Sequence, residues 1–279
     1  MGTDRSDRYG NGRARLAAIR RRCAWLLSLR PQFLATPLLK LLSPYERRTI
    51  VDVEGMRLYL DPLSHLAGTI LRDGSYEAAT AALFRCEIAA GDVVLDIGAN
   101  EGYFAVLAAQ LAGPGGTVIA VEPQSRLLDV LRINLALNGG AAAEVFHCAV
   151  GTGGGDVEIS LTPVSNTGAS SIVRRYRWST ESERVPVCSV EAILAAVGKT
   201  RADFVKVDVE GNEAAVIAAL QPLLATGRVG KLLIDYHGPI LAAAGITAKP
   251  LEDDILAAGY ELVSREFDGL DGYRLYRRG

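Results

Sequence analysis

Histidine, cysteine and long apolar runs are all scarce in this chain of 279 residues, and each shortage closes off a class of protein. The four cysteines (Cys23, Cys86, Cys148 and Cys188) lie far apart, with no C-x-x-C pair and no histidine cluster beside them. Neither a zinc knuckle nor a disulfide framework is therefore expected, and a reducing cytoplasm is the default. No apolar run approaches the roughly 18 residues of a membrane-spanning helix. The apolar stretch at residues 24–29 is short and stopped by Arg30-Pro31, which argues against a signal peptide. A large net charge is also missing. At −2 the chain has no global field pointing to nucleic acid, and a 49% hydrophobic, 22% charged composition is that of a soluble globular protein. The length fits one large α/β domain behind an N-terminal extension.

The charge that is present is unevenly spread. Residues 1–30 hold eight arginines against Asp4 and Asp7, and Leu16, Ile19, Cys23, Leu26 and Leu27 recur among them at helical spacing. A helix here has an apolar face beside an arginine face. It has two readings: the stripe docks on the domain or on a second subunit, or the helix lies on an anionic membrane surface through residues 1–42. The extension is taken as residues 1–48 and the domain as 49–279.

Beyond Thr49, TIVDVEGMRLYL reads as two alternating strands turning at Glu54-Gly55. Strand candidates at 93–97, 117–121, 144–148, 204–207 and 231–236 then alternate with helical stretches near 103–112, 124–137, 189–197 and 212–224. That alternation predicts parallel strands with right-handed crossovers, and the apolar runs VVLDI and KLLID fit strands covered on both faces. YELVSREF and GYRLYRR predict a closing antiparallel hairpin at the sheet edge. The pattern lapses at residues 152–184, which carry SNTGASS and the basic-aromatic RRYRW with Arg174, Arg175, Arg177 and Trp178. We read this stretch as a substrate loop overhanging the acceptor pocket.

VVLDIGANEGYF is the most informative segment: a buried strand breaking into a turn with Gly98 and Gly102, where a ligand can approach the backbone. The turn lacks the third glycine of G-x-G-x-x-G, and the next strand, VIAVEP, ends in Glu122, whose carboxylate can accept both hydroxyls of a ribose. S-adenosylmethionine (SAM) fits better than NAD, having a ribose diol but no pyrophosphate to cradle. Further on, DFVKVDVEGNE places Lys206, Asp208, Glu210 and Glu213 at a strand end and helix start. Such charges are costly to desolvate unless they pair or serve a ligand. Glu213 is accounted for by the helix macrodipole; Asp208 is not. The following strand ends IDYHG, bringing Asp235, Tyr236 and His237 to the same rim if the two strands are neighbours.

LDIGANEGYF, VEP, NLALNG, CAVG and FVKVDVEGNE, followed by a strand ending in Tyr-His, closely resemble the FkbM family of SAM-dependent methyltransferases, over about residues 73–237. The resemblance implies the Rossmann-like, seven-stranded class I methyltransferase sheet, mostly parallel with a C-terminal antiparallel hairpin. It also implies methylation of hydroxyl groups on sugars, glycoconjugates or polyketide-type natural products. Carried onto this chain, it places Asp96, Gly98, Asn100 and Gly102, with the adjoining Tyr103 and Phe104, about the methionine part of SAM and Glu122 on the ribose. Tyr76 and Glu77 of GSYE would close over the cofactor. Cys188-Ser189-Val190-Glu191 stands where members often show Thr-Leu-Asp-Asp, and that stretch receives no role.

Transfer to an alcohol calls for a base within about 2.6–3.2 Å of the attacking oxygen. Asp208 and His237 are the candidates, one as base and one orienting it, with Lys206 pairing the acids. A Mg²⁺ ion on Asp208, Glu210 and His237, polarising two hydroxyls, is the metal-assisted version. Three other readings compete. N-methylation of another small molecule or a macromolecule lacks an Asn-Pro-Pro-aromatic segment after the fourth strand. An NAD(P) oxidoreductase lacks the third glycine and a Tyr-x-x-x-Lys pair. A non-catalytic, membrane-associated member of the fold has to explain the intact Asp96, Glu122 and Asp208. The expected partners are a small hydroxylated acceptor, no nucleic acid, and a second copy of the chain.

Overall fold

A computed structural model of the chain describes residues 6–28, 48–139, 143–162, 181–266 and 272–279. The elements begin with α1 (Ser6–Ser28), the hairpin β1 (Thr49–Val53) and β2 (Met56–Leu60), and two helices, α2 (His65–Asp73) and α3 (Ala78–Glu87). Then β3 (Val93–Ile97), α4 (Tyr103–Ala112), β4 (Thr117–Val121), α5 (Ser125–Leu137) and β5 (Ala143–Phe146) alternate. Three strands follow, β6 (Ala149–Val150), β7 (Asp156–Ser160) and β8 (Ser182–Cys188), with α6 (Val190–Ala196) behind them. The chain closes with β9 (Ala202–Val207), α7 (Glu213–Ala225), β10 (Val229–Tyr236), α8 (Gly238–Ala243), α9 (Ala248–Ala257), β11 (Tyr260–Arg265) and β12 (Gly272–Arg278).

Seven strands form one sheet in the order β11-β12-β10-β9-β3-β4-β5. The five from β10 to β5 run parallel, while β12 is antiparallel to both β10 and β11. This is the mostly parallel sheet with a C-terminal antiparallel hairpin that the sequence predicts. Residues alternate between the two faces along each strand, and two cores result. Leu95, Ile97, Val205, Val207, Leu232 and Ile234 pack beneath α6, α7 and α9. Val94, Val118, Phe204 and Leu233 face the opposite way, against α2, α3, α4 and the β1–β2 hairpin. Asp96 and Lys206 occupy the next positions on that second face and pair in register.

Two expectations are corrected. The third core strand ends at Phe146, and the chain leaves the sheet so that Ala149 and Val150 pair with Val187 and Cys188 in a separate three-stranded sheet. The stretch from 152 to 184 is not patternless throughout: Asp156–Ser160 pairs antiparallel with Ser182–Cys188 in that side sheet. Arg174, Arg175, Arg177 and Trp178 lie outside the described residues.

The arginine-rich helix docks on the domain. Leu16 is wholly buried in the core beside Met56 and Ile70, Arg13 donates to the carbonyl of Ile70, and Arg20 donates to those of Pro62 and Ser64 at 2.7 and 2.9 Å. This matches the docking reading for that part of the arm. Among the described residues no helix is long and apolar enough to cross a membrane.

Candidate functional site

In a doubly wound sheet the ligand crevice opens beyond the carboxyl ends of the strands, where the strand order reverses. Here β3 leads to β4 and β5 on one side and is flanked by β9 and β10 on the other, so the reversal falls at β3. A cleft of about 460 Å³ lies at that point. Gly98, Asn100 and Glu122 line it from the β3 and β4 ends, Asp208, Glu210, Asp235 and His237 from β9 and β10, and His65, Tyr76 and Glu77 from α2 and the approach to α3.

The backbone around the cleft is strained. Four non-glycine residues have positive φ among those described, and three of them, Glu77 (43°), Asn100 (51°) and Glu210 (49°), line this cleft. Such conformations cost on the order of 1–3 kcal/mol each and gather where surroundings enforce a functional geometry. Asn100 tolerates the left-handed region better than glutamate does.

Glu122 is buried at the end of β4 and gripped from both sides. Its Oε2 accepts from the backbone N–H of Asn100 at 2.8 Å and its Oε1 from that of Gln124 at 2.9 Å. Burial pushes its pKa up to about 7, which the two N–H donors and the Arg126 guanidinium offset only in part. A carboxylate has about four lone-pair sites, so a pair of ribose hydroxyls fits the remaining capacity.

Gly98 lines the cleft, and both glycines also admit close packing of the protein on itself. A Cβ on Gly98 (φ +87°) would lie 1.8 Å from the carbonyl oxygen of Asp208, and one on Gly102 (φ +91°) would lie 2.5 Å from Leu131 Cδ1. Gly98 thus allows the β3 and β9 ends to close on one another, and Gly102 seats α4 against α5.

Several other predicted residues stand behind the wall. Asp96, Lys206, Gly102, Tyr103 and Phe104 are not among the residues lining the cleft. Tyr103 donates to Glu54 at 2.8 Å, while Phe104 packs on Phe84 and lies 5.0 Å beneath Lys206 Nζ. Lys206 is buried, 3.1 Å from Asp208 Oδ2 and 3.7 Å from Asp96 Oδ1. Burial opposes its charge, but Asp208, Asp96 and Glu77 outweigh it and raise its pKa. In the same way burial would raise Asp208, yet Lys206 and His237 hold it below its ordinary value. Among the described residues neither oxygen of wholly buried Asp96 has a partner at hydrogen-bond distance, Lys206 Nζ standing 3.7 Å off, and burial raises its pKa despite Lys206.

His237 joins the β9 acids to the cleft. Its Nδ1 lies 2.7 Å from Glu213 Oε1, and its Nε2 lies 3.5 Å from Glu210 Oε2 and 3.9 Å from Asp208 Oδ1. Burial disfavours the imidazolium, but the hydrogen bond to Glu213 and the charges of Asp208, Glu210 and Asp235 prevail and raise the pKa to about 10. That shift favours the imidazolium, which suits the ring to orienting Asp208 rather than to taking a proton. Two residues matter more than their sequence reading implies. Asp235 stands beside Asp208, one position beyond the register pair Ile234–Val207, and burial together with Asp208 raises it to about 7. Glu213, assigned to the macrodipole alone, is wholly buried and binds both His237 and the N–H of Gly211. For Asp235 a signal existed in IDYHG, given adjacent strands. For Glu213 only the fold supplies one.

Comparison with known proteins adds the following. The model of the Methyltransferase FkbM domain matches residues 96–261. The AMB antimetabolite synthetase AmbE of Pseudomonas aeruginosa is 26% identical over 223 residues, covering 66% of this chain and 10% of that protein. This chain therefore spans about a tenth of the curated relative it matches. Among solved structures, the O-methyltransferase TomG of Streptomyces achromogenes is 17% identical with a TM-score of 0.44, over 74% of this chain and 82% of that one. Fibrillarin of Aeropyrum pernix is 14% identical with a TM-score of 0.43, over 71% and 74%.

Proposed function

The chain belongs to the FkbM methyltransferase family, and from that premise we propose that it is a SAM-dependent O-methyltransferase acting on a hydroxyl of a sugar, glycoconjugate or polyketide-type natural product. One observation carries the reading: a single cleft is walled on one side by Gly98, Asn100 and Glu122 and on the other by Asp208, Asp235 and His237. The first wall suits a ribose and an amino-acid tail; the second suits a polar acceptor that must lose a proton.

SAM supplies an electrophilic methyl group on a sulfonium. In this chain Glu122 would hold the ribose hydroxyls, with Glu77 placed to receive an ammonium. Asp208, kept ionised by Lys206, is the group we assign to the acceptor hydroxyl, whose proton it would accept as the oxygen takes the methyl group. His237 and Lys206 position that carboxylate from either side. Holding the oxygen in line supplies much of the rate, and a base within reach contributes about 10²–10⁴-fold more. The matched relative is named for antimetabolite synthesis, which fits a natural-product acceptor.

The test is transfer from SAM carrying a labelled methyl group to a panel of glycosides, polyketide alcohols and amines, read by mass spectrometry. The reading expects label on oxygen. Label on amines alone, with every alcohol left unmodified, would overturn it.

A further inference from the structure

We propose that Asp208, Asp235 and His237 form a binding site for a divalent first-row metal ion such as Mn²⁺, set into the acceptor side of the cleft. One ligand atom from each of the three lies within 4.8 Å of the others. Bonds of about 2.2 Å put cis ligands of one ion about 3.1 Å and trans ligands about 4.4 Å apart, so the three side chains would draw inward on an ion by rotamer adjustment. The donor set differs from the one the sequence suggests, because Asp235 takes the place given to Glu210. It also changes the ion: an imidazole nitrogen with two carboxylates suits Mn²⁺ better than Mg²⁺, which prefers oxygen ligands and its own water.

The second support lies outside the three ligands. Glu213 is wholly buried and holds His237 through Nδ1 at 2.7 Å, while its own Oε2 has no partner among the described residues. A carboxylate on one ring nitrogen, with the other nitrogen turned to a pair of acids, is the outer-shell arrangement that fixes a metal-ligating histidine. Lys206 does not occupy the site, since it engages Asp208 through Oδ2 whereas Oδ1 faces His237.

Charge points the same way. Glu77, Glu122, Asp208, Glu210 and Asp235 line the cleft, and among the described lining residues there is no lysine or arginine. The cations of SAM would answer the end near Glu122 and Glu77, leaving Asp208, Glu210 and Asp235 facing the His237 ring, whose proton an incoming ion would displace. A cationic acceptor would meet the same acids but has no use for an imidazole nitrogen held among them. An ion there would acidify a bound hydroxyl, which deepens the proposed O-methylation at this cleft and rests on that reading.

The experiment is titration of the full chain with Mn²⁺, read by loss of the free-ion electron paramagnetic resonance signal, with and without S-adenosylhomocysteine. One saturable ion per chain is expected, lost in Asp235→Asn and in His237→Gln and weakened about 10–100-fold in Glu213→Gln. Glu122→Ala should leave it unchanged. A cooperative thermal unfolding transition in each variant reports that it is folded. No saturable binding by the wild-type chain in either condition overturns the proposal. So does equal binding by folded Asp235→Asn and His237→Gln. The two readings separate: homocysteine-product binding without Mn²⁺ binding sinks the metal site alone, and the reverse sinks the methyltransferase assignment alone.

Discussion

At Glu122 burial and function pull against each other. The carboxylate sits where water is excluded, so its pKa is about 7, yet accepting two ribose hydroxyls calls for the ionised form. Its folded value exceeds the unfolded value of about 4.3, so its contribution to folding is full below that value and is lost as the pH rises through 7. Ligand binding to the carboxylate runs in the opposite sense. We expect S-adenosylhomocysteine to bind about tenfold more tightly at pH 8 than at pH 6, with the difference abolished in Glu122→Gln. An unchanged slope in that variant would assign the titration to another group. At Asp208, replacement by Asn should leave product binding within about threefold of wild type and cut turnover by about 100-fold or more. Equal turnover on any accepted substrate would remove Asp208 from the chemistry. Both residues are legible in the sequence because each ends an apolar strand with a charge that the strand has no use for. Lys206 is legible as a charge too, but only the sheet register shows it buried between Asp96 and Asp208.

Among the elements, α1 shows where pattern reading stops. Its apolar stripe is plain in the sequence, but a stripe does not name what it packs on. Leu16 settles the matter by entering the core beside Met56 and Ile70, and Arg20 reaches the carbonyls at the start of α2. Leu16→Ala should cost about 2–5 kcal/mol by urea denaturation, and a loss below about 0.5 kcal/mol would mean that the helix is not part of the folded core. The β3–α4 turn makes a second prediction. Gly98→Ala drives a Cβ into the Asp208 carbonyl at a left-handed φ, so the thermal midpoint should fall and S-adenosylhomocysteine binding should disappear. A variant as stable as wild type would refute that packing. α2 carries boundary signals that a periodicity search passes over: Ser64 caps it by accepting from Ala67 N–H, and Gly74 ends it in the left-handed region. The pairing of β7 with β8 is harder to see, since a long intervening segment separates two short strands.

Across the whole molecule, the order of strands explains why so many charges converge. Asp96, Lys206, Asp208 and Asp235 occupy one face of three adjacent strands, β3, β9 and β10, at or near their carboxyl ends. Alternating apolar segments make the parallel sheet legible from sequence, and the closing hairpin follows from its turn. What alternation cannot give is which strands are neighbours, and that is why Asp235 and Glu213 gain their roles only in the folded chain. The central claim is that this cleft holds a methyl donor. Calorimetric titration of the full chain with S-adenosylhomocysteine and, separately, with NADH tests it most directly. Micromolar binding of the former, weakened in Glu122→Ala and absent for NADH, is the expected result; NADH binding without S-adenosylhomocysteine binding would contradict it.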